Sequence, residues 1–98
     1  MSFYFKNRGL ANYHLGNMKE AEDDYDMAIR LNPNNADNYF NRGNVWLSKE
    51  DPEFEKAHQD FDRAVQLEPD NAKLYHARGL AFQSEAEYIS ITGKEYDV

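Results

Sequence analysis

Residues 36–71 read ADNYFNRGNVWLSKEDPEFEKAHQDFDRAVQLEPDN, and the same pattern stands before and after them. Within this stretch Tyr39, Arg42 and Gly43 are followed by Ala57, Phe61, Ala64 and Pro69. Upstream, Phe5, Arg8 and Gly9 are followed by Ala21, Tyr25, Ala28 and Pro33. Downstream, Tyr75, Arg78 and Gly79 begin the pattern a third time, and its second half does not return. A fixed period of this length marks stacked supersecondary units rather than one wrapped core. Each unit touches only its neighbours, so an open stack offers no closed pocket for catalysis, and an enzyme is not expected.

Apolar residues recur at offsets of three and four, the helical period. Five helices are expected, over about 2–15, 18–31, 36–49, 53–67 and 72–91, giving an all-α solenoid. Gly16-Asn17 ends the first, as a C-terminal glycine does. Asn32-Pro33-Asn34-Asn35 and Glu68-Pro69-Asp70-Asn71 end the second and fourth, since proline cannot continue a helix. Glu50-Asp51-Pro52 makes a turn two residues longer than the first unit's, with Pro52 suited to the first turn of the next helix.

The 98 residues suffice for one domain. Its units are 2–35, 36–71 and a partial 72–98. Gly93, Tyr96 and Asp97 read as the turn and start of a missing second helix, so a piece of a longer array is expected. The apolar share of 41% argues against disorder. Eleven basic and 18 acidic residues give a net charge of −7, which repels nucleic acid and anionic membranes. No run approaches the ~20 apolar residues of a membrane span. There is no cysteine, hence no disulfide and no cysteine-based zinc site. A cytoplasmic setting is expected, with the nucleus as the second reading.

These residues resemble the tetratricopeptide repeat. Phe5, Gly9, Ala21, Tyr25, Ala28 and Pro33 match its pattern in the first unit. Tyr39, Gly43, Trp46, Ala57, Phe61, Ala64 and Pro69 match in the second, and Tyr75, Gly79 and Phe82 in the third. Asn12 replaces an aromatic, which is expected to weaken the first unit. Arg8, Arg42 and Arg78 replace the usual Leu and are expected to snorkel toward nearby acids.

The resemblance implies a protein-interaction module whose first helices line a concave groove. That face would present Lys6, Leu10 and Tyr13, then Phe40, Asn41 and Asn44, then Lys73, His76 and Leu80, with Phe3, Asp37, Leu47 and Gln83 beside them. A protein or peptide segment is the expected partner, and an acidic group on it would suit Lys6 and Lys73. Some members hold the C-terminal Glu-Glu-Val-Asp of heat-shock chaperones in a carboxylate clamp. Lys6, Asn41 and Lys73 stand at three of its five positions, while Leu10 and Ala77 depart from it, so the clamp is the lesser variant. The alternative reading is a structural scaffold, self-associating into a homo-oligomer through the uncovered end of the third unit.

Neither a cofactor nor a metal is expected. His14, His58 and His76 lie on separate helices, and His58 with Asp62 lacks a third ligand. The acidic run Glu20, Glu22, Asp23, Asp24 and Asp26 reads as a solvated face favouring the N-terminal half of its helix.

Overall fold

The computed structural model describes residues 1–94, and Tyr96 and Asp97 lie outside them. The described residues form five helices: α1 (Ser2–His14), α2 (Met18–Leu31), α3 (Ala36–Ser48), α4 (Phe54–Leu67) and α5 (Ala72–Thr92). They are all-α, and none of the helices is long and apolar enough to cross a membrane. α1 packs on α2 and α3 on α4, while α2 meets α3 and α4 meets α5. The result is an elongated stack of 42 × 31 × 23 Å.

The turns follow their sequences. Gly16 closes α1 with φ +83°, a left-handed conformation that L side chains resist. Its N–H donates to the Tyr13 carbonyl, and the Asn17 N–H donates to that of Asn12 at 2.8 Å, which satisfies two orphan carbonyls. Asn35 and Asn71 cap α3 and α5, their side chains accepting from the N–H groups of Asp37 and Lys73. In the longer turn the Glu53 N–H donates to the Trp46 carbonyl at 3.0 Å. Pro52 therefore sits just outside α4, whose N-cap is Glu53, rather than inside its first turn.

The core is a series of interhelix layers. Ala21, Tyr25 and Val45 join α2 to α3. Tyr39, Ala64, Val65 and Leu74 join α3, α4 and α5, and so do Trp46, Ala57, Phe61 and Ala81. The paired helices approach closely at two glycines. A Cβ on Gly9 would stand 3.1 Å from the Tyr25 ring, and one on Gly43 only 2.7 Å from the Phe61 ring. Phe61 is fully buried and cannot step aside. Gly79, the third in the series, would meet nothing within 4 Å.

Alanine scanning of these glycines should therefore change sign along the chain. Alanine gains about 1 kcal/mol over glycine in a helix interior, while overpacking a core costs about 1–3 kcal/mol. Gly43→Ala is expected to destabilise by about 1 kcal/mol net. Gly79→Ala is expected to stabilise by up to about 1 kcal/mol. Urea unfolding of both variants checks this, and a loss at Gly79 as large as that at Gly43 would contradict it.

Buried acids hold the pairs together, which corrects the solvated reading of the acidic run. Asp24 is buried, and Arg8 donates to it from Nε and Nη2. Asp26 accepts from Arg42, Glu22 from Lys49 and the exposed Asp23 from Lys19. Glu22, Asp23 and Asp26 bring oxygens within 4.8 Å of one another. Each pairs with a cation of this chain, Asp26 with Arg42, Glu22 with Lys49 and Asp23 with Lys19. In the second unit Asp60 is buried and accepts from Arg42 Nε and Nη2, both at 2.8 Å. The hydrogen bond to Asp60 raises the pKa of Arg42 above its ordinary value, as that to Asp24 does for Arg8.

Asn12, which stands where the pattern has an aromatic, makes a polar contact instead. Its amide donates to Asp24 at 3.0 Å, just as the Trp46 indole N–H donates to Asp60 at 2.7 Å. The two residues occupy equivalent positions, and each supplies an N–H donor to the buried acid of its own unit.

α5 continues past the length of α1 and α3 because its last turns have something to rest on. The Tyr88 hydroxyl donates to Asp51 at 3.1 Å, and the Tyr88 ring lies 5.4 Å from that of Phe54. Both partners belong to the lengthened turn and the start of α4. His58 is half-buried on α4. It is stacked on Phe82 at 4.1 Å, with Nε2 at 3.0 Å from a Glu85 carboxylate oxygen.

Candidate peptide-binding cleft

The first helices of the units, α1, α3 and α5, share one side of the stack. Between them lies an open cleft of about 340 Å³. Its lining is Tyr13 from α1, then Phe40, Asn44, Leu47 and Ser48 from α3. Lys73, His76, Ala77, Leu80 and Ser84 complete it from α5. Helical spacing explains the selection: 40, 44 and 47–48 recur on one face of α3, as do 73, 76–77, 80 and 84 on α5.

Six of the nine residues singled out by sequence come together here: Tyr13, Phe40, Asn44, Lys73, His76 and Leu80. Lys6, Leu10 and Asn41 do not line it. Lys6 lies back over the Phe3 ring, its Nζ 5.2 Å from the centroid. Leu10 is exposed on α1, and Asn41 is half-buried on α3. Ser48 and Ser84 line the cleft without having been singled out. Each follows an anticipated residue by four positions, Asn44 and Leu80, and that same-face offset was the available signal.

The floor is set before any ligand arrives. Phe40 is half-buried and leans on Phe61, ring centroids 6.1 Å apart, so a core residue fixes its position. Lys73 lays its ammonium over the Phe40 ring, 4.7 Å from its centroid. The Tyr13 hydroxyl and Ser48 Oγ are 3.0 Å apart, which ties α1 to α3 across one end. Asn44 makes no side-chain hydrogen bond among the described residues, so its amide keeps both a donor and an acceptor uncommitted. Leu80 and His76 are exposed at the rim. The cleft thus combines an aromatic and aliphatic floor with one cation and an uncommitted amide.

Residues 2–35 match the family model described as Tetratricopeptide repeat. Among solved structures, the chain is similar to one titled "First TPR of Spaghetti (RPAP3) bound to HSP90 peptide SRMEEVD". The identity is 27% and the TM-score 0.79, over 88% of this chain and 67% of that one. It is also similar to the Arabidopsis OM64 TPR domain, at 27% identity and a TM-score of 0.76, over 96% of this chain and 84% of that one. No curated protein sequence matches the chain.

Proposed function

We propose that this chain, a tetratricopeptide-repeat protein by its first repeat and by its fold, binds a peptide segment of a partner protein in the cleft between α1, α3 and α5. The observation that carries the reading is the Phe40–Lys73 pair. A half-buried aromatic backed by the core stands beside a cation, in a cleft shared by three helices. The similar structure bound to an HSP90 peptide supports it, since tetratricopeptide domains are in general non-catalytic interaction modules.

The cleft favours a segment held by an apolar side chain on Phe40 and Leu80, with an acidic group at Lys73. A full carboxylate clamp is the lesser variant. Lys6 and Asn41 lie outside the cleft lining, and Ala77 brings no charge to it. Fluorescence anisotropy with labelled peptides distinguishes the two. With acidic peptides carrying one apolar anchor, Phe40→Ala should weaken binding by roughly tenfold or more, the loss of a central aromatic contact. Lys73→Ala should weaken it several-fold and flatten the salt dependence. A carboxylate-terminated peptide such as SRMEEVD, bound with equal affinity by the Lys6→Ala/Lys73→Ala chain, would remove the clamp.

A further inference from the structure

A second receptive surface lies on α5, on the side away from the cleft. In α1 and α3 an arginine and the following glycine receive a second helix in one way. Asp24 meets Arg8 while the Tyr25 ring covers Gly9. Asp60 meets Arg42 while the Phe61 ring covers Gly43. The covering helices share one pattern: Ala21, Asp24, Tyr25, Ala28 in α2 and Ala57, Asp60, Phe61, Ala64 in α4. All four alanines are fully buried.

Among the described residues, α5 displays the receiving half without the covering half. A Cβ on Gly79 would meet nothing within 4 Å. Tyr75 and Phe82 are 42% and 55% exposed, whereas their counterparts Tyr39 and Trp46 are buried. Arg78 reaches only one oxygen of the exposed Asp62, at 3.3 Å, where Arg42 has a two-pronged grip on a buried acid.

We propose that this face of α5 is a docking site for an amphipathic helix of a partner protein. The helix would carry an acid followed at once by Phe or Tyr, with an alanine three residues before the acid and another three after the aromatic. Its acid would take Arg78 and its ring would lie on Gly79, between Tyr75 and Phe82. A partner fits better than a second copy of this chain. The described helices with that pattern are α2 and α4, and both bury it within their own stack. The site is distinct from the cleft and stands or falls without it.

A labelled peptide of the sequence 53–68, the chain's own α4, serves as the probe against the full 98-residue chain. Saturable binding is expected, with NMR shifts centred on Gly79 and Phe82. Asp60→Lys in the peptide places like charges together and should weaken binding more than about tenfold. That variant leaves the protein untouched, so misfolding cannot imitate its effect. Gly79→Leu in the protein fills open space and should abolish binding, while Phe40→Ala in the cleft should leave it unchanged. Absence of binding overturns the proposal, as does binding indifferent to Gly79→Leu. Shifts centred on Gly43, which signal exchange with the resident α4, overturn it too. So does self-association of the chain that the peptide does not compete away.

Discussion

Asp60→Ala is expected to destabilise the stack by about 3 kcal/mol. Asp60 is 5% exposed and accepts three hydrogen bonds, two from Arg42 and one from the Trp46 indole at 2.7 Å. Truncation strands the buried Trp46 indole N–H and removes two of the hydrogen bonds of the half-buried Arg42. Removing one partner of a buried ion pair costs about 3–5 kcal/mol, because the other charge is left uncompensated. Arg42 keeps Asp26 at 2.9 Å, which places the expected loss near the lower limit, about 3 kcal/mol. Stability of a domain this size is about 5–15 kcal/mol, and the second unit lies between the other two, so its loss uncouples both. Urea unfolding followed by far-UV circular dichroism measures the change. Pairing the truncation with Arg42→Met should recover part of it, since a well-packed apolar pair can replace a buried ionic one. A loss below about 1 kcal/mol, the value typical of exposed pairs, would mean that Asp60 is not desolvated as the packing indicates.

Asn38→Leu is expected to act in the opposite direction. Asn38 is fully buried, and neither its amide nitrogen nor its carbonyl oxygen has a hydrogen-bond partner. A buried polar group left unsatisfied costs about 1–3 kcal/mol. Its counterpart one unit later is Leu74, also fully buried, which shows that the fold accepts leucine at this register. Leucine has the same branched shape as asparagine, so the substitution exchanges unpaired polar atoms for methyl groups with little new strain. A gain of about 2 kcal/mol is expected, from desolvation relieved and apolar surface buried. The urea midpoint should rise with an unchanged m-value. A fall in stability would show that the site cannot accommodate the larger methyl groups.

Much of this was legible in the sequence. Gly16, Asn35, Asn71 and the two prolines placed the helix ends, because caps and breakers act through local backbone geometry. The small and large residues at fixed offsets placed the close helix crossings, because a Cβ at Gly43 has room or has none according to the residue facing it. The arginines were expected to seek nearby acids, and Arg8, Arg42 and Arg78 each do. The cleft was legible in part. Tyr13, Phe40, Asn44, Lys73, His76 and Leu80 converge, whereas Lys6 turns aside onto Phe3. One helix turn decides whether a side chain points into a groove or along its rim, and spacing alone resolves no finer than that.

The sequence by itself determined the period and the five helices, which rest on residue size and helical phase within one unit. Only the tertiary structure decided what each polar group does. It made Asp24 and Asp60 buried acceptors rather than solvated acids, and it made Asn12 the equivalent of Trp46 as a donor. It also put His58 beneath Phe82 and left Gly79 uncovered. Those outcomes depend on which helices meet and how closely. The free energy of a charge or an amide is set by its surroundings in space, not by its neighbours in the chain.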